Sequence, residues 1–198
     1  MENAKVVNYA HRGASAYAPE NTMRAFRKGI ELGATGIETD VQLSKDGRVV
    51  VIHDEKLNRT TNGKGWVKDF TLEELKRLDA GSWFGPAFAG EPLPALEELL
   101  ELTMAIPDFT VNIELKNSHF AYPELERKVI DLIRTYGMTA RSIISSFNHS
   151  SLALCKQLDP DIRTGILYDQ PIPDLWPYAA EKLRADAIHP YHKLVTAA

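Results

Sequence analysis

Residues 36–43 read Gly-Ile-Glu-Thr-Asp-Val-Gln-Leu, an apolar strand pattern that carries two carboxylates. Side chains alternate across a strand, so Glu38 and Asp40 share one face. Strands that are covered on both faces are almost wholly apolar, because burying an ionised group is costly unless the charge is paired. The two acidic residues therefore mark either a solvated strand face or a site that needs negative charge.

Strands and helices alternate on both sides of this segment. The predicted strands are residues 5–10, 36–43, 48–53, 109–115, 141–147, 163–168 and 186–191. The predicted helices are residues 23–32, 71–78, 94–104, 123–136, 150–158 and 175–183. Strands that alternate with helices favour parallel βαβ units and an α/β fold.

The link between the second and third strands is unusual, because it holds no helix and reads Ser-Lys-Asp-Gly-Arg at residues 44–48. Asp46-Gly47 is a hairpin signal. Residues 41–47, seven residues in extended conformation, nevertheless reach roughly 23 Å, which is enough to return the chain. We therefore expect the third strand to run parallel to the second.

Residues 54–94, which follow the third strand, hold several glycines around one short helix. A segment of this length is typical of an insertion or a functional loop.

Polar side chains lie at the ends of other predicted strands as well. They are His11 and Arg12 after the first strand, His53 and Asp54 after the third, and Glu114 and Lys116 after the fourth. Singly, each has an ordinary explanation as a hydrogen-bonded histidine, a capped turn or a solvated face. The carboxyl ends of parallel barrel strands form one rim, however, so four adjacent strands with this feature favour a shared site.

The chemistry of such a site follows from its charges. Clustered carboxylates raise one another's pKa unless a cation neutralises them. Oxygen ligands favour Mg²⁺ or Ca²⁺ over zinc. Arg12 and Lys116 offer donors for phosphate oxygens, and His11 and His53 can share proton transfer as acid and base. Together these groups predict phosphoester hydrolysis.

Several segments closely resemble the glycerophosphodiester phosphodiesterase family. They include His11-Arg12-Gly13, Pro19-Glu20-Asn21-Thr22, Glu38-Thr39-Asp40-Val41, Val51-Ile52-His53-Asp54, Asp79-Ala80-Gly81-Ser82-Trp83-Phe84 and Asn112-Ile113-Glu114-Leu115-Lys116. The ordered set covers nearly the whole chain, and it is far more specific than any single motif.

The resemblance implies a TIM (β/α)8-type barrel as a single domain over residues 1–198, with residues 54–94 inserted after the third strand and over the barrel mouth. Only seven strands are predicted, so we expect the eighth to be missing from this chain. The implied activity is metal-dependent hydrolysis of glycerophosphodiesters to sn-glycerol 3-phosphate and an alcohol such as choline or ethanolamine.

The resemblance also implies roles for particular residues. They are His11 and His53 as the general acid/base pair, Glu38, Asp40 and Glu114 as ligands of one divalent cation (Mg²⁺ or Ca²⁺), Arg12 and Lys116 as phosphate contacts, and Trp83 and Phe84 as walls of the glycerol or alcohol pocket. Which histidine is the base stays open, as does the choice between water and a substrate hydroxyl as the nucleophile.

Composition narrows the function classes further. The chain is 44% hydrophobic and 25% charged, which excludes disorder, and its net charge of -4 gives no general attraction for nucleic acid. No apolar run approaches a membrane span, no secretion signal is visible, and the single cysteine fits a reducing compartment. We expect a cytoplasmic enzyme that acts on a small molecule, without stable membrane association. Two alternatives remain: a phospholipase C- or D-like enzyme on the same scaffold, or a truncated, non-catalytic phosphodiester-binding protein.

Overall fold

In the computed structural model, which describes residues 6–195, strands and helices alternate as predicted, and their bounds lie within a few residues of the expected ones. The strands are β1 (Tyr9–His11), β2 (Gly36–Leu43), β3 (Val49–Val51), β4 (Thr110–Leu115), β5 (Ser142–Ser146), β6 (Arg163–Tyr168) and β7 (Ala187–Pro190). The helices are α1 (Met23–Glu31), α2 (Leu72–Lys76), α3 (Leu96–Met104), α4 (Leu125–Thr135) and α5 (His149–Leu158). The helix predicted at 175–183 is a short π-helical segment, Pro177–Lys182. The predicted start of the first strand, residue 5, lies outside the described residues.

The strands form one sheet in the order β1-β2-β4-β5-β6-β7, and every neighbouring pair on this path is parallel. This is the α/β architecture of a partial barrel, so the predicted fold class is confirmed. Within residues 6–195 there are seven strands and no eighth. No helix in that range combines the length and apolar composition that a membrane span requires.

The expected direction of the third strand is wrong. β3 runs antiparallel to β2, with Val51 opposite Val41 and Val49 opposite Leu43. The reason lies in the link, where Gly47 has a φ of +71° and its N–H donates to the carbonyl of Ser44 at 2.9 Å. A glycine adopts this left-handed conformation without steric cost, so the chain reverses in a tight hairpin. The wall of the barrel therefore consists of six parallel strands, and β3 is a return strand folded against β2.

The main core lies between the sheet and the helices packed on its outer face. Phe26 of α1, Leu99 of α3 and Val129 of α4 are fully buried against β-strand residues such as Ile113. Fully burying a side chain of this size contributes about 1.5–3 kcal/mol. This packing fixes the helices, and with them the loops that follow the parallel strands.

Residues 54–94 have a separate small core on the hairpin. Ile52 at the end of the hairpin packs with buried residues of the insertion, among them Leu57 and Leu75. The C-terminal end of the insertion is hydrogen-bonded to β3, since the N–H of Val51 donates to the carbonyl of Pro94 at 2.9 Å. The insertion is therefore an ordered layer attached to β3, and residue 53 is placed where the two meet.

Candidate active site

Strand register brings the three predicted metal ligands together. Asp40 of β2 lies opposite Glu114 of β4, and Glu38 lies two residues earlier on the same face of β2. The three side chains are buried, and each offers a carboxylate oxygen within 4.8 Å of the others. This is the convergence expected from alternation along parallel strands, while the role of the residues as ligands stays a prediction.

The electrostatics of this carboxylate cluster fit a bound cation. Burial, followed by the charges of Asp40 and Glu114, raises the pKa of Glu38 well above its ordinary value. Burial and the charge of Asp40 likewise raise the pKa of Glu114. Oδ1 of Asp40 is buried and has no hydrogen-bond partner among residues 6–195, a costly arrangement for a carboxylate oxygen. An all-oxygen set with these properties suits a hard divalent ion such as Mg²⁺ or Ca²⁺.

Arg12 contacts the cluster through both its backbone and its side chain. Its φ is +56°, an uncommon value for a residue with a side chain. Its N–H donates to the carbonyl of Glu38 at 2.9 Å and to Oε2 of the same residue at 3.1 Å. The guanidinium Nε lies 3.3 Å from Oδ2 of Asp40, and Nη1 donates to Oε1 of Glu20 at 3.0 Å. Arg12 is therefore held beside the cluster, on the β1 side.

Lys116 approaches the cluster from the opposite side. Its Nζ donates to Oε1 of Glu114 at 2.8 Å and lies 3.9 Å from Oδ1 of Asp40. The same Nζ is 3.3 Å from Nε2 of His53. Arg12 and Lys116 thus flank the carboxylates, and this is the position from which two cations can hold a phosphate between them.

The two predicted catalytic histidines lie at opposite ends of the cluster. Nε2 of His11 is 3.7 Å from Oε2 of Glu38, and 68% of the His11 side chain is exposed. Partial burial of the ring, and then the Arg12 guanidinium, lower the pKa of His11 below its usual value. His53 is more enclosed, and its Nδ1 lies 2.7 Å from Oδ1 of Asp54. Although β3 is antiparallel, His53 still reaches the site, because the N–H of Ile52 donates to the carbonyl of Asp40 at 3.0 Å.

Comparison with known families decides the classification. The model of the glycerophosphoryl diester phosphodiesterase family matches residues 11–198. The chain belongs to this family. The resemblance seen in the sequence motifs is therefore confirmed.

Relatives and solved structures within the family agree with this assignment. A glycerophosphodiester phosphodiesterase of Caldanaerobacter subterraneus is 51% identical over 188 residues, which cover 95% of this chain and 76% of the relative. Another, of Bacillus altitudinis, is 53% identical over 159 residues, which cover 80% of this chain and 65% of the relative. The structure of an Oleispira antarctica phosphodiesterase in complex with the product sn-glycerol-3-phosphate matches with a TM-score of 0.86 and 33% identity, covering 96% of this chain and 77% of that one.

Trp83 and Phe84, the two aromatic residues predicted to line the substrate pocket, pack against other residues of the insertion. The rings of Trp83 and Phe84 pack edge-on at 5.6 Å, and Phe84 packs in the same way on Phe88. Nε1 of Trp83 donates to the carbonyl of Ala80 at 2.9 Å. These contacts lie within the insertion, so a role for Trp83 and Phe84 in the substrate pocket stays a prediction.

The structure also adds residues to the site that sequence reasoning did not assign to it. Asn21, quoted above only as part of a family motif, donates from Nδ2 to Oδ2 of Asp40 at 2.8 Å, while the side chain of Thr22 caps α1. Arg59 forms hydrogen bonds to both Asp54 and Glu20. The only sequence signal for Arg59 was its position six residues after His53, next to a threonine pair at residues 60 and 61.

Proposed function

We propose that this chain hydrolyses glycerophosphodiesters to sn-glycerol 3-phosphate and an alcohol, with one divalent cation, Mg²⁺ or Ca²⁺, as cofactor. The observation that carries the proposal is the meeting of three buried carboxylates with two cationic side chains and two imidazoles on one rim. The product held by the Oleispira antarctica relative supports the same substrate class. The whole constellation belongs to one domain.

Glu38, Asp40 and Glu114 would hold the cation, and Arg12 and Lys116 would hold the phosphate. A divalent ion bound here supplies Lewis-acid polarisation of the phosphoryl oxygens and neutralises the carboxylates. Arg12 and Lys116 then stabilise the negative charge that develops on the phosphate in the transition state. Their fixed positions on two sides of the cluster mean that little reorganisation is needed during the reaction.

His53 and His11 would move the protons. With its Nδ1–H donated to Asp54, His53 presents Nε2 as the atom that takes or gives a proton. His11 presents Nε2 beside Glu38 at the other end of the cluster. One histidine removes a proton from the nucleophile, and the other protonates the leaving oxygen. Water and a neighbouring glycerol hydroxyl both fit as nucleophile.

The test is the release of glycerol 3-phosphate from several glycerophosphodiesters, measured with a coupled dehydrogenase. EDTA should abolish turnover, and added Mg²⁺ or Ca²⁺ should restore it. The His53→Ala variant should lose at least ~100-fold in kcat, whereas the exposed His192→Ala should keep wild-type activity. Release that persists in EDTA would contradict the metal site. Turnover confined to phospholipid vesicles would favour a phospholipase, and binding without any release would favour a non-catalytic protein.

A further inference from the structure

Glu126 is a buried acidic residue that the chemistry proposed above does not use. It lies in the first turn of α4, and only 7% of it is exposed. Within residues 6–195 no cationic side chain pairs with its carboxylate, whose hydrogen bonds come from the side chains of Asn117 and Ser151. Burying an acidic group in this way is costly, so its position requires a physical explanation.

Two helix ends meet at this carboxylate. Glu126 belongs to the first turn of α4, and Ser151 belongs to the first turn of α5, whose N-cap is Asn148. The N-terminal end of a helix carries a partial positive charge, which stabilises a nearby anion. The Glu126 carboxylate therefore joins the starts of α4 and α5, and it does so without a cationic partner.

Asn117 connects this carboxylate to the end of β5. Its Nδ2 donates to Oε1 of Glu126 at 3.0 Å and to Oγ of Ser151 at 2.7 Å. Its Oδ1 accepts from Oγ of Ser146, the last residue of β5, at 3.2 Å. A carboxylate only accepts hydrogen bonds, so the amide nitrogen of Asn117 must face Glu126. These four buried side chains form one network that fixes the orientation of the Asn117 amide.

The network holds the backbone on both sides of Lys116. The hydroxyl of Ser146 also lies 3.0 Å from the carbonyl oxygen of Leu115, so its proton is shared between two acceptors. Nδ2 of Asn148 donates to the carbonyl of Asn117 at 3.4 Å. Successive side chains alternate at the end of a strand, so Asn117 faces the helices whereas Lys116 faces the carboxylate cluster.

Lys116 needs a fixed backbone because its side chain is long and flexible. Its Nζ lies 2.8 Å from Oε1 of Glu114 and 3.3 Å from Nε2 of His53. Lysine is among the side chains that lose most rotamer freedom when they are fixed. A shift of the backbone at Lys116 moves the start of this side chain, and with it the ammonium that would contact the phosphate.

We propose that Asn117 and Glu126 are positioning residues for the reaction: with Ser146 and Ser151, they hold the end of β4 so that the Lys116 ammonium meets the phosphate. The proposal rests on the proposed function, and it adds to the active site a buried layer on the helix side of the sheet. Glu126 acts in this layer as a hydrogen-bond acceptor, and it takes no part in proton transfer.

The test is a double-mutant cycle on the release of glycerol 3-phosphate from glycerophosphocholine. Asn117→Ala should lower kcat by ~10- to 100-fold in the wild-type background, because misplacing a catalytic group by about 1 Å slows the reaction to this extent. In a Lys116→Ala background the same substitution should lower kcat by less than ~3-fold, since the ammonium that Asn117 positions is absent. Thr103→Val, which removes a buried hydrogen bond within α3, is the matched control and should leave kcat unchanged in both backgrounds.

Ser151→Ala is a milder variant that keeps the test decisive if Asn117→Ala does not fold. It removes one donor to Glu126, so it should lower kcat by ~3- to 10-fold, again only when Lys116 is present. Equal losses in the two backgrounds would mean that the network supports the fold alone, and they would overturn the proposal. A wild-type kcat in both Asn117→Ala and Ser151→Ala would overturn it as well.

A wild type that releases glycerol 3-phosphate from no diester would overturn the proposed function instead. The position of Lys116 is then measured by acetylation with acetic anhydride and mass spectrometry, which needs no turnover. Asn117→Ala should raise the acetylation rate of Lys116, whose side chain is 14% exposed, by at least ~3-fold, and it should leave the rate of Lys76 on α2 unchanged. A Lys116 rate equal to that of the wild type would refute the positioning role.

Discussion

Arg59 connects the two halves of the active site, and its removal should disturb both. Its guanidinium donates to Oδ2 and Oδ1 of Asp54 at 2.7 and 2.8 Å, and to Oε2 and Oε1 of Glu20 at 2.9 and 2.8 Å. Asp54 in turn contacts His53, and Glu20 contacts Arg12. One side chain therefore orients both His53, the proposed proton-transfer group, and Arg12, the proposed phosphate-binding group.

The expected loss of stability in Arg59→Gln is modest. The Arg59 side chain is 44% exposed, so solvent weakens both of its ion pairs. Exposed pairs contribute ~0.2–1 kcal/mol each, and bidentate geometry places these two near the upper end, so the free energy of unfolding should fall by ~1–2 kcal/mol. The hydrogen bonds from Arg59, followed by the contact with His53, hold the pKa of Asp54 well below its usual range against the effect of burial. Without Arg59 the Asp54 carboxylate keeps its contact with His53 but loses both hydrogen bonds from the guanidinium, so its position should be less restrained.

The expected loss of activity is larger. Asp54 sets the orientation of His53, and misplacing a catalytic group by about 1 Å lowers the reaction rate by up to ~100-fold. We therefore expect kcat of Arg59→Gln to fall by ~10- to 100-fold, while its affinity for the cation stays unchanged. The ammonium of Arg59→Lys cannot contact both carboxylates in bidentate fashion, so it should recover little. The measurements are steady-state release of glycerol 3-phosphate well below the melting temperature, and urea unfolding. Arg77→Gln, which breaks an exposed pair with Glu73 on α2, is the control and should affect neither. A wild-type kcat in Arg59→Gln would refute the positioning role, whatever the change in stability.

Three further predictions concern proton transfer, the insertion and the cysteine. If the two histidines act as acid and base, the pH profile of kcat/KM should be bell-shaped, and His11→Ala or His53→Ala should each lose at least ~100-fold; a fully active variant of either would contradict the pairing. Gly81→Ala should lower the free energy of unfolding in urea by ~1–3 kcal/mol, because the added Cβ would lie 1.8 Å from a backbone oxygen. Gly85→Ala is the control and should be tolerated, since its added Cβ would have no contact nearer than 3.9 Å. Burial raises the pKa of Cys155 to about 12, so the thiol of the folded protein should not react with an aromatic disulfide reagent at pH 8. Rapid reaction of the folded protein would refute the burial of Cys155.

The carboxylate cluster was predictable because it depends on two simple regularities. Alternation places Glu38 and Asp40 on one face, and the parallel register places Glu114 opposite Asp40. The direction of β3 was harder to predict, because the reach of residues 41–47 allowed both orientations. The conformation of Gly47 decided between them, so the turn chemistry was a better guide than chain length.

The residues that hydrogen-bond to the site residues and hold them in place could not be predicted from the sequence. Arg59 and Glu20 are 39 residues apart, and Asn21 and Asp40 are 19 apart, so no local pattern connects them. Which polar side chains satisfy the buried carboxylates depends on how the loop after β1 and the insertion pack together. The buried network behind Lys116 has the same origin, because Asn117 and Ser151 are 34 residues apart.

The most direct test of the account is to count the cations that the three acidic side chains hold. Calorimetric titration of EDTA-treated, dialysed protein with Mg²⁺ and with Ca²⁺ should show one ion bound per chain. Asp40→Asn should abolish this binding, while Asp131→Asn, an exposed acid on α4, should leave it intact. A wild type that binds neither ion, or an Asp40→Asn variant that binds as tightly as wild type, would contradict the account.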